Sequence, residues 1–516
     1  MSSNIIAYDL GTGGIKASLY ETDGQRLVSV FVGYDTFYPQ ASWHEQRPAD
    51  WWAVLVAATR QLLASPCADA ASIKCLAISG HSLGCVPLDK DGRLLCDATP
   101  IWSDRRAEAQ TVPFFANVDP EEWYLTTGNG FPAAHYTVFK VLWYRDHMPD
   151  MFRRIDKIVG TKDYLNFRLT GVIRTDFSYA SGCGVYGLLD WDYAPALVAA
   201  SGLPRDIWPD IAPAASILGG LTPAAAAELG LPRGVMVACG GVDNSCMALG
   251  AGNIADGRSY ASLGSSAWIA VTSAQPLLDM SVKPYVFTHV MPGLYNSAVA
   301  IFSSGTSFKW VCQQMCRDLV ARAECEHLDV YDLMCEVAAT SPPGARGLIF
   351  NPSLAGGSSL DISPLIRGAF LGIDLGHTRA DLIRAAMEGI ALNLRLALDE
   401  LRKLCHVRDR MVVVGGSSKS ALWRQIFADV FDLTIHQTNI GQDAGSLGAA
   451  AVAAVAAGLW HDFSPIDAIH QLEAAAAPDP ASRDIYQEML PAFRRAARLL
   501  AEAAIAEAAS EDGAHG

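Results

Sequence analysis

The first twenty residues constrain this chain most. Ile5-Ile6-Ala7-Tyr8 is a short apolar run, and Asp9 stands at its end. Gly11-Thr12-Gly13-Gly14 then makes a turn, and Ile15 to Tyr20 is apolar again. The pattern predicts a buried hairpin with a carboxylate and a hydroxyl beside three glycines. Glycines let backbone N–H groups approach anionic oxygens with no Cβ in the way. A carboxylate there can face hydrated Mg²⁺, which takes oxygen ligands and keeps its waters. An ordinary tight hairpin with a capping Asp fits the same residues.

The pattern continues as a meander. Glu21-Thr22-Asp23-Gly24 is a turn signal, and Leu27 to Phe31 reads as a third strand. Trp51 to Ala64 has helical spacing, and Ile73 to Ile78 is a buried strand ending at Ser79-Gly80-His81-Ser82. This order predicts an α/β fold, a parallel sheet with an antiparallel flap. At 516 residues the chain needs two or more domains. The Pro- and Ala-rich stretch Ser201 to Pro232 reads as a boundary zone. Val235 to Cys239 is a strand that runs into Gly240-Gly241-Val242-Asp243-Asn244. Ser259 to Thr272 repeats the opening theme around Gly264-Ser265-Ser266. Thr378 and Asp381 resemble a capping box. Behind them Ile383, Met387, Ile390, Leu394, Ala397 and Leu401 form one helical face. Met411 to Val414 is a strand feeding Gly415-Gly416-Ser417, with a helix over Ser420 to Phe431, a place for a nucleotide to lie. The tail after Ala475 reads as a terminal helix, with disorder from Ser510.

Composition removes several classes. A net charge of −15 with no strong basic run argues against nucleic-acid partners. No signal peptide and no apolar run of about 20 residues is found, which predicts a cytoplasmic protein without membrane partners. The 12 cysteines are scattered with no CxxC, so reduced, buried thiols are expected and zinc is not. No GxxxxGK(S/T) or HExxH occurs, and no GxGxxG follows a strand and opens a helix with an acidic residue at the right distance, which weakens P-loop, metalloprotease and dehydrogenase readings.

Three further places carry chemistry. Asp243, after two glycines at a strand end, can accept a hydroxyl proton as that oxygen attacks phosphorus; an Asx-turn opening the next helix is the plainer reading. Trp102-Ser103-Asp104-Arg105-Arg106 combines a ring with polar groups suited to a sugar, or is a surface turn with local ion pairs. His81 and Ser82 can bond a polyol or simply be satisfied at a strand edge.

In order, these motifs resemble the FGGY carbohydrate kinases of the actin/hexokinase/Hsp70 superfamily. Asp9 to Lys16 resembles the opening phosphate motif, and Trp102 to Arg106 resembles W-x-D-x-R. Lys162-Asp163-Tyr164-Leu165, Arg168 to Gly171 and Thr175-Asp176 resemble the mid-domain signature. Gly241 to Asn244 resembles the catalytic segment, and Gly264-Ser265-Ser266 the second phosphate motif. Gly305-Thr306-Ser307 with Trp310, Arg384 to Gly389 and Gly415 to Trp423 complete the series. The resemblance implies a two-domain, ribonuclease H-like α/β fold with a cleft: residues 1–253 mainly for sugar, 254–475 mainly for ATP, and 476–516 a helix and tail. It implies Asp243 as general base and Asp9 as the residue that orients Mg²⁺ through water. It places Gly11, Thr12, Gly13, Lys16, Gly264, Ser265, Gly305, Lys309, Gly415, Gly416 and Ser420 along ATP. It places His81, Ser82, Trp102, Asp104, Asp243 and Asn244 at a small-molecule sugar or polyol, and includes a homodimer among the expectations. The pattern looks most like xylulokinases and related ketose kinases. Those read Gln-Met-His-Gly after Gly80, where this chain reads His81-Ser82-Leu83-Gly84, so a polyol or a hexulose stays open as acceptor. An Hsp70- or actin-like binding module and an inactive sugar sensor are the readings from other classes.

Overall fold

The computed structural model describes residues 3–514. The opening hairpin forms as β1 (Asn4–Gly11) and β2 (Gly14–Glu21). Asp9 lies inside β1, opposite Lys16, and not at the strand end. The ladder runs on through fully buried Leu10, because a two-residue loop, Thr12-Gly13, suffices to turn the chain. β3 (Arg26–Gly33) pairs antiparallel with β2. In α1 (Pro48–Leu63), Trp51, Leu55, Ala58 and Leu62 step by four, three and four and are all buried in the first core.

β4 (Ile73–Gly80) lies parallel to β1. After α2 (Thr161–Thr170) come β5 (Met236–Ala238) and β6 (Gly241–Val242), both parallel to β4. Asp243 then opens α3 (Asp243–Gly250). The sheet therefore runs β5-β4-β1-β2-β3 with β6 beside β4 and the strand Ile217–Gly220 antiparallel on the outer edge of β5, a parallel centre with the predicted antiparallel flap.

A second hairpin is built from β7 (Ser259–Leu263) and β8 (Ala267–Ser273). α4 (Gly305–Met315) and α5 (Arg379–Leu404) follow. Asp381 Oδ2 accepts from the Thr378 amide and hydroxyl, each at 2.8 Å, at the start of α5. The six predicted apolar positions of this helix are at most 1% exposed. β9 (Arg410–Gly415) lies parallel to β7, and after α6 (Ala421–Phe431) come β10 (Thr434–Thr438), α7 (Ala444–Ala456) and β11 (Leu472–Ala476). These five strands are ordered β8-β7-β9-β10-β11 within a seven-stranded sheet. The registers of the two hairpins correspond: Leu10 stands opposite Gly80 as Leu263 stands opposite Gly415.

Two compact units result. The first holds the residues through Asp256, with Thr272–Ser297 and Asp443–His470. The second holds Gly257–Val271, Ala298–Gln442 and the chain from Gln471 onward. Residues 201–232 are therefore interior to the first unit and not a boundary. Leu203, Ile207, Trp208, Leu221, Ala225 and Leu229 are buried in its cores, which is why the stretch folds inward despite its prolines. α7 belongs to the first unit. Gly448 lets it lie directly on α3, since a Cβ there would sit 1.9 Å from Cys246 O.

The final helix α8 runs Pro480–Ala514, past the expected start of disorder at Ser510; the expectation for His515 and Gly516 lies outside the described residues. The cysteines are free thiols, but Cys67 and Cys325 are exposed, so they are not uniformly buried. Among the described residues no helix is long and apolar enough to cross a membrane.

Candidate active site

Three parallel strands of the first unit end together. Asp9 on β1 and Gly241 on β6 both stand opposite Ser79 on β4. Two residues beyond Gly241 is Asp243. The carboxyl ends of parallel strands are where ligands bind in open α/β sheets. Here that edge carries two carboxylates.

Asp9 is partly buried. Ser79 Oγ donates to its Oδ1 at 3.1 Å. On its other side lies the first turn of α7: a Cβ at Gly445 would sit 2.6 Å from Asp9 Oδ2. Burial raises its pKa, against the lowering effect of the Lys16 charge and the Ser79 bond. Lys16, expected along the phosphates, reaches Asp443 Oδ1 at 3.3 Å, just before α7. Arg26 pairs with the same carboxylate.

Asp243 is also partly buried. Its Oδ1 accepts from the Asn244 amide at 2.8 Å and from Asn244 Nδ2 at 3.1 Å. Asn244, expected to touch substrate, thus orients the carboxylate. The plain reading, an Asp bonding the first turn of its own helix, is part of the geometry. Burial pushes the Asp243 pKa up to about 7, with the Asp9 charge adding and the Asn244 amide opposing. A carboxylate poised near neutrality suits proton transfer at physiological pH.

The hairpin turn has its carbonyls tied back. Tyr34 donates to Gly11 O through its hydroxyl and to Gly13 O through its amide (3.4 Å). Gln46 Nε2 donates to Thr12 O at 2.8 Å. Among the described residues the Thr12 and Gly13 amides have no acceptor. With the carbonyls held on one side, the N–H groups are left for an anion.

The loop after Ile101 is fastened to this turn: Trp102 Nε1 donates to Thr12 Oγ1 at 2.9 Å. Asp104 plays a different part from the one expected. It is fully buried, and its two oxygens accept from the His44 amide, the Arg106 amide and the Arg106 guanidinium, all at 2.7–3.0 Å. Arg106 also reaches Glu45 at 2.7 Å and lies over the Trp43 ring. Every lone pair of Asp104 is spent holding the loop, so it positions Trp102 rather than meeting a ligand. His81 is 1% exposed, packs edge-on against Trp51 at 5.6 Å, and neither ring nitrogen has a hydrogen-bond partner. Burial, helped by the Lys140 charge, drops its pKa to about 3, so it is a neutral imidazole. Ser82 beside it is buried. Leu83 adopts φ 58°, a strained conformation for a branched side chain. Lys140, fully buried, holds it there by donating to Leu83 O (3.0 Å) and Ile101 O (2.7 Å).

In the second unit the corresponding turn is Gly264-Ser265-Ser266. Three amides at the start of α4 bond back to it: Ser304 N and Thr306 N to Ser265 O at 3.1 Å, and Gly305 N to Gly264 O at 3.0 Å. Gly305 therefore gives no free amide. Its lack of a side chain lets the helix approach, since a Cβ would sit 2.4 Å from Gly264 O. Ser265 and Ser266 amides have no acceptor among the described residues. Lys309 is exposed and, among them, unpaired. Gly415 takes φ 106° at the end of β9, with Ser418 Oγ donating to its carbonyl at 2.7 Å. Gly416 is exposed with open space at its Cα. Ser420 caps α6, its Oγ accepting from Trp423 N at 3.4 Å.

Residues 4–250 match the N-terminal domain of the FGGY family of carbohydrate kinases, and residues 259–457 match its C-terminal domain. The chain belongs to the FGGY family of carbohydrate kinases. A xylulose kinase of Staphylococcus epidermidis is 28% identical over 94% of both chains. The xylulose kinase structure from Rhodospirillum rubrum superposes with a TM-score of 0.86 at 28% identity, over 95% of this chain and 98% of that one. A gluconate kinase from Lactobacillus acidophilus superposes at 0.88 with 25% identity, over 97% and 99%. The protein is thus a carbohydrate kinase, a phosphotransferase that uses ATP to phosphorylate a sugar hydroxyl.

Several residues of this FGGY kinase were not singled out from sequence. Tyr34 and Gln46 come from an ordinary-looking strand and loop, and only the fold brings them to Gly11-Thr12-Gly13. Gly445 had a signal: a run of small residues directly after Asp443 marks a helix that must approach something closely. Lys140 had a weaker one, a cation set among the apolar and aromatic residues Val138, Phe139, Val141, Leu142 and Trp143.

Proposed function

We propose that this kinase phosphorylates a hydroxyl of a ketose, xylulose or a close relative, with Asp243 as the general base. The observation that carries the reading is the pair Asp9 on β1, opposite Ser79, and Asp243, the first residue of α3 just past β6, with Asp243 poised near neutrality. Asp243 takes the proton of the acceptor hydroxyl as that oxygen attacks the γ-phosphorus of ATP; the bond to the leaving β-γ bridging oxygen breaks, and ADP departs. The amides of Thr12 and Gly13, and those of Ser265 and Ser266, offer donors to phosphate oxygens. The curated xylulose kinases support the substrate class, and the availability of ATP in the cytoplasm fits that location.

Asp9 fits a place beside Mg²⁺. Among the described residues no three His, Cys, Asp or Glu side chains gather into a protein cage. A single partly buried carboxylate, its pKa raised by burial, suits an ion that arrives on a nucleotide and keeps most of its waters. Such an ion neutralises charge on the β- and γ-phosphates.

The test is ADP release with Mg-ATP over pentuloses, hexuloses, short polyols and gluconate, reported as kcat/KM. A pentulose is expected to lead. Preference for gluconate or a polyol would overturn the ketose reading, and sugar-independent ATP turnover would point to a binding module.

A further inference from the structure

Three charged side chains of the first unit are buried and take no part in the chemistry above. Lys162 and Asp176 are fully buried, and Asp163 is 1% exposed. Lys162 Nζ lies against Asp163 Oδ1 and 2.9 Å from Asp176 Oδ1. Burying such a cluster is costly, and apolar side chains of the same volume are often as stable. Its presence asks for a reason other than stability.

Two arms leave the cluster, and both end on the segment that precedes Asp243. In the first, Lys162 Nζ donates to Cys239 O at 3.2 Å, joined there by Asn166 Nδ2 at 2.8 Å. In the second, Asp176 Oδ2 accepts from the Ser178 amide at 2.9 Å and from the Ser178 hydroxyl. With its one proton given to Asp176, Ser178 Oγ can only accept, and it accepts from the Val242 amide at 3.0 Å. The contacts close a ring: Lys162 holds Cys239, and the Lys162–Asp176 ion pair, continued by the hydrogen bonds through Ser178, holds Val242. Between these two points lies Gly240-Gly241, with Gly240 at φ 75°. Two glycines make that stretch the softest part of the strand, and Asp243 follows at once.

We propose that Lys162, Asp176 and Ser178 are positioning residues that clamp residues 239–242 and so aim Asp243 at the acceptor hydroxyl. This rests on Asp243 being the base. The clamp fixes the carboxylate's height and direction relative to the strand ends, which Asn244 alone cannot do because it moves with Asp243. A base displaced by about 1 Å loses on the order of 10²-fold in rate.

Ser178→Ala removes the acceptor for Val242 N–H and leaves Lys162 with both carboxylates. Steady-state kinetics use Mg-ATP and D-xylulose, D-ribulose or D-gluconate, whichever the ADP screen selects. The expected result is a kcat lower by about 10- to 100-fold, with both KM values within about twofold and a melting temperature within a few degrees. Ser178→Cys, with a weak acceptor, is expected between the two, and it carries the test if Ser178→Ala does not fold. A folded Ser178→Ala with kcat within twofold of wild type overturns the proposal. So does a fall in kcat accompanied by raised KM values and a lowered melting temperature, the mark of a merely structural role. Full turnover in Asp243→Asn would remove the base itself, whatever Ser178 does; a dead Asp243→Asn beside a slow Ser178→Ala supports the clamp.

Discussion

Asp243→Asn is expected to destroy activity and stabilise the fold. The amide keeps the shape, and its oxygen can still accept from the Asn244 amide and side chain, as Asp243 Oδ1 does at 2.8 and 3.1 Å. What it lacks is an ionisable group. Burial and the Asp9 charge lift the Asp243 pKa from 3.8 to about 7. The folded pKa is the higher one, so between about pH 4 and 7 the native state holds more protons than the unfolded chain. Wild-type stability therefore falls as pH rises through that window, and the whole loss is present above about 7. Three units correspond to about 4 kcal/mol at 1.36 kcal/mol each. Solvent reaches part of the carboxylate, so about 2 kcal/mol is a fairer expectation at pH 8. Thermal melts of both proteins from pH 5 to pH 8 read this directly, the variant gaining on wild type as pH rises. Kinetics on the same samples should show kcat lower by about 10² to 10⁴-fold, while wild-type kcat climbs with pH and levels off above about 7. A variant less stable than wild type at pH 8, or a melting difference that does not widen with pH, would refute the burial argument. Retained turnover would refute the base.

Other perturbations separate the remaining parts of the site. Gly445→Ala drives a methyl to 2.6 Å from Asp9 Oδ2; the expected effect is a kcat lower by about tenfold with a raised Mg²⁺ requirement, checked by Mg²⁺ titration at saturating ATP and sugar. Gly305→Ala places a methyl 2.4 Å from Gly264 O, in backbone that cannot yield cheaply; the KM for ATP should rise well beyond that for sugar. Asp104→Ala leaves the buried Arg106 guanidinium with Glu45 alone, a loss of about 3 kcal/mol visible as an earlier thermal transition.

Much of this was legible in the sequence because it is written locally. The hairpin turns, the strand ends at Gly80 and Gly415, and the six-residue face of α5 depend on spacing and on glycine, which a reader can count. The Asp9 and Asp243 pair was legible as residue types at strand ends, although Asp9 proved to lie within its strand because the turn needs only two residues. What was hidden depends on contacts distant along the chain. Asp104 looks like a ligand-binding carboxylate until His44 and Arg106 are seen to saturate it. Lys16 looks like a phosphate lysine until α7 brings Asp443 within 3.3 Å. Residues 201–232 look like a linker because prolines mark turns, yet their apolar side chains fill the first unit's cores.

The two hairpins share a register and differ in charge, and that difference has a chemical consequence. Aligned on the parallel pairs Leu10–Gly80 and Leu263–Gly415, Asp9 corresponds to Ser262, and Thr12-Gly13 to the serines of Gly264-Ser265-Ser266. Both turns keep free amides by tying other backbone groups away, in one through Tyr34 and Gln46, in the other through the start of α4. Only the first carries a carboxylate. On the proposed assignment of this turn to phosphate, a second one at Ser262 would add repulsion with no proton to move. On that assignment, the neutral hydroxyl leaves the turn to hold phosphate through its amides alone. The hairpin recurs, and on the proposed mechanism the acid–base chemistry stays in the first unit, where α7 packs against Asp9 and the segment leading to Asp243 is held by Lys162 and Ser178.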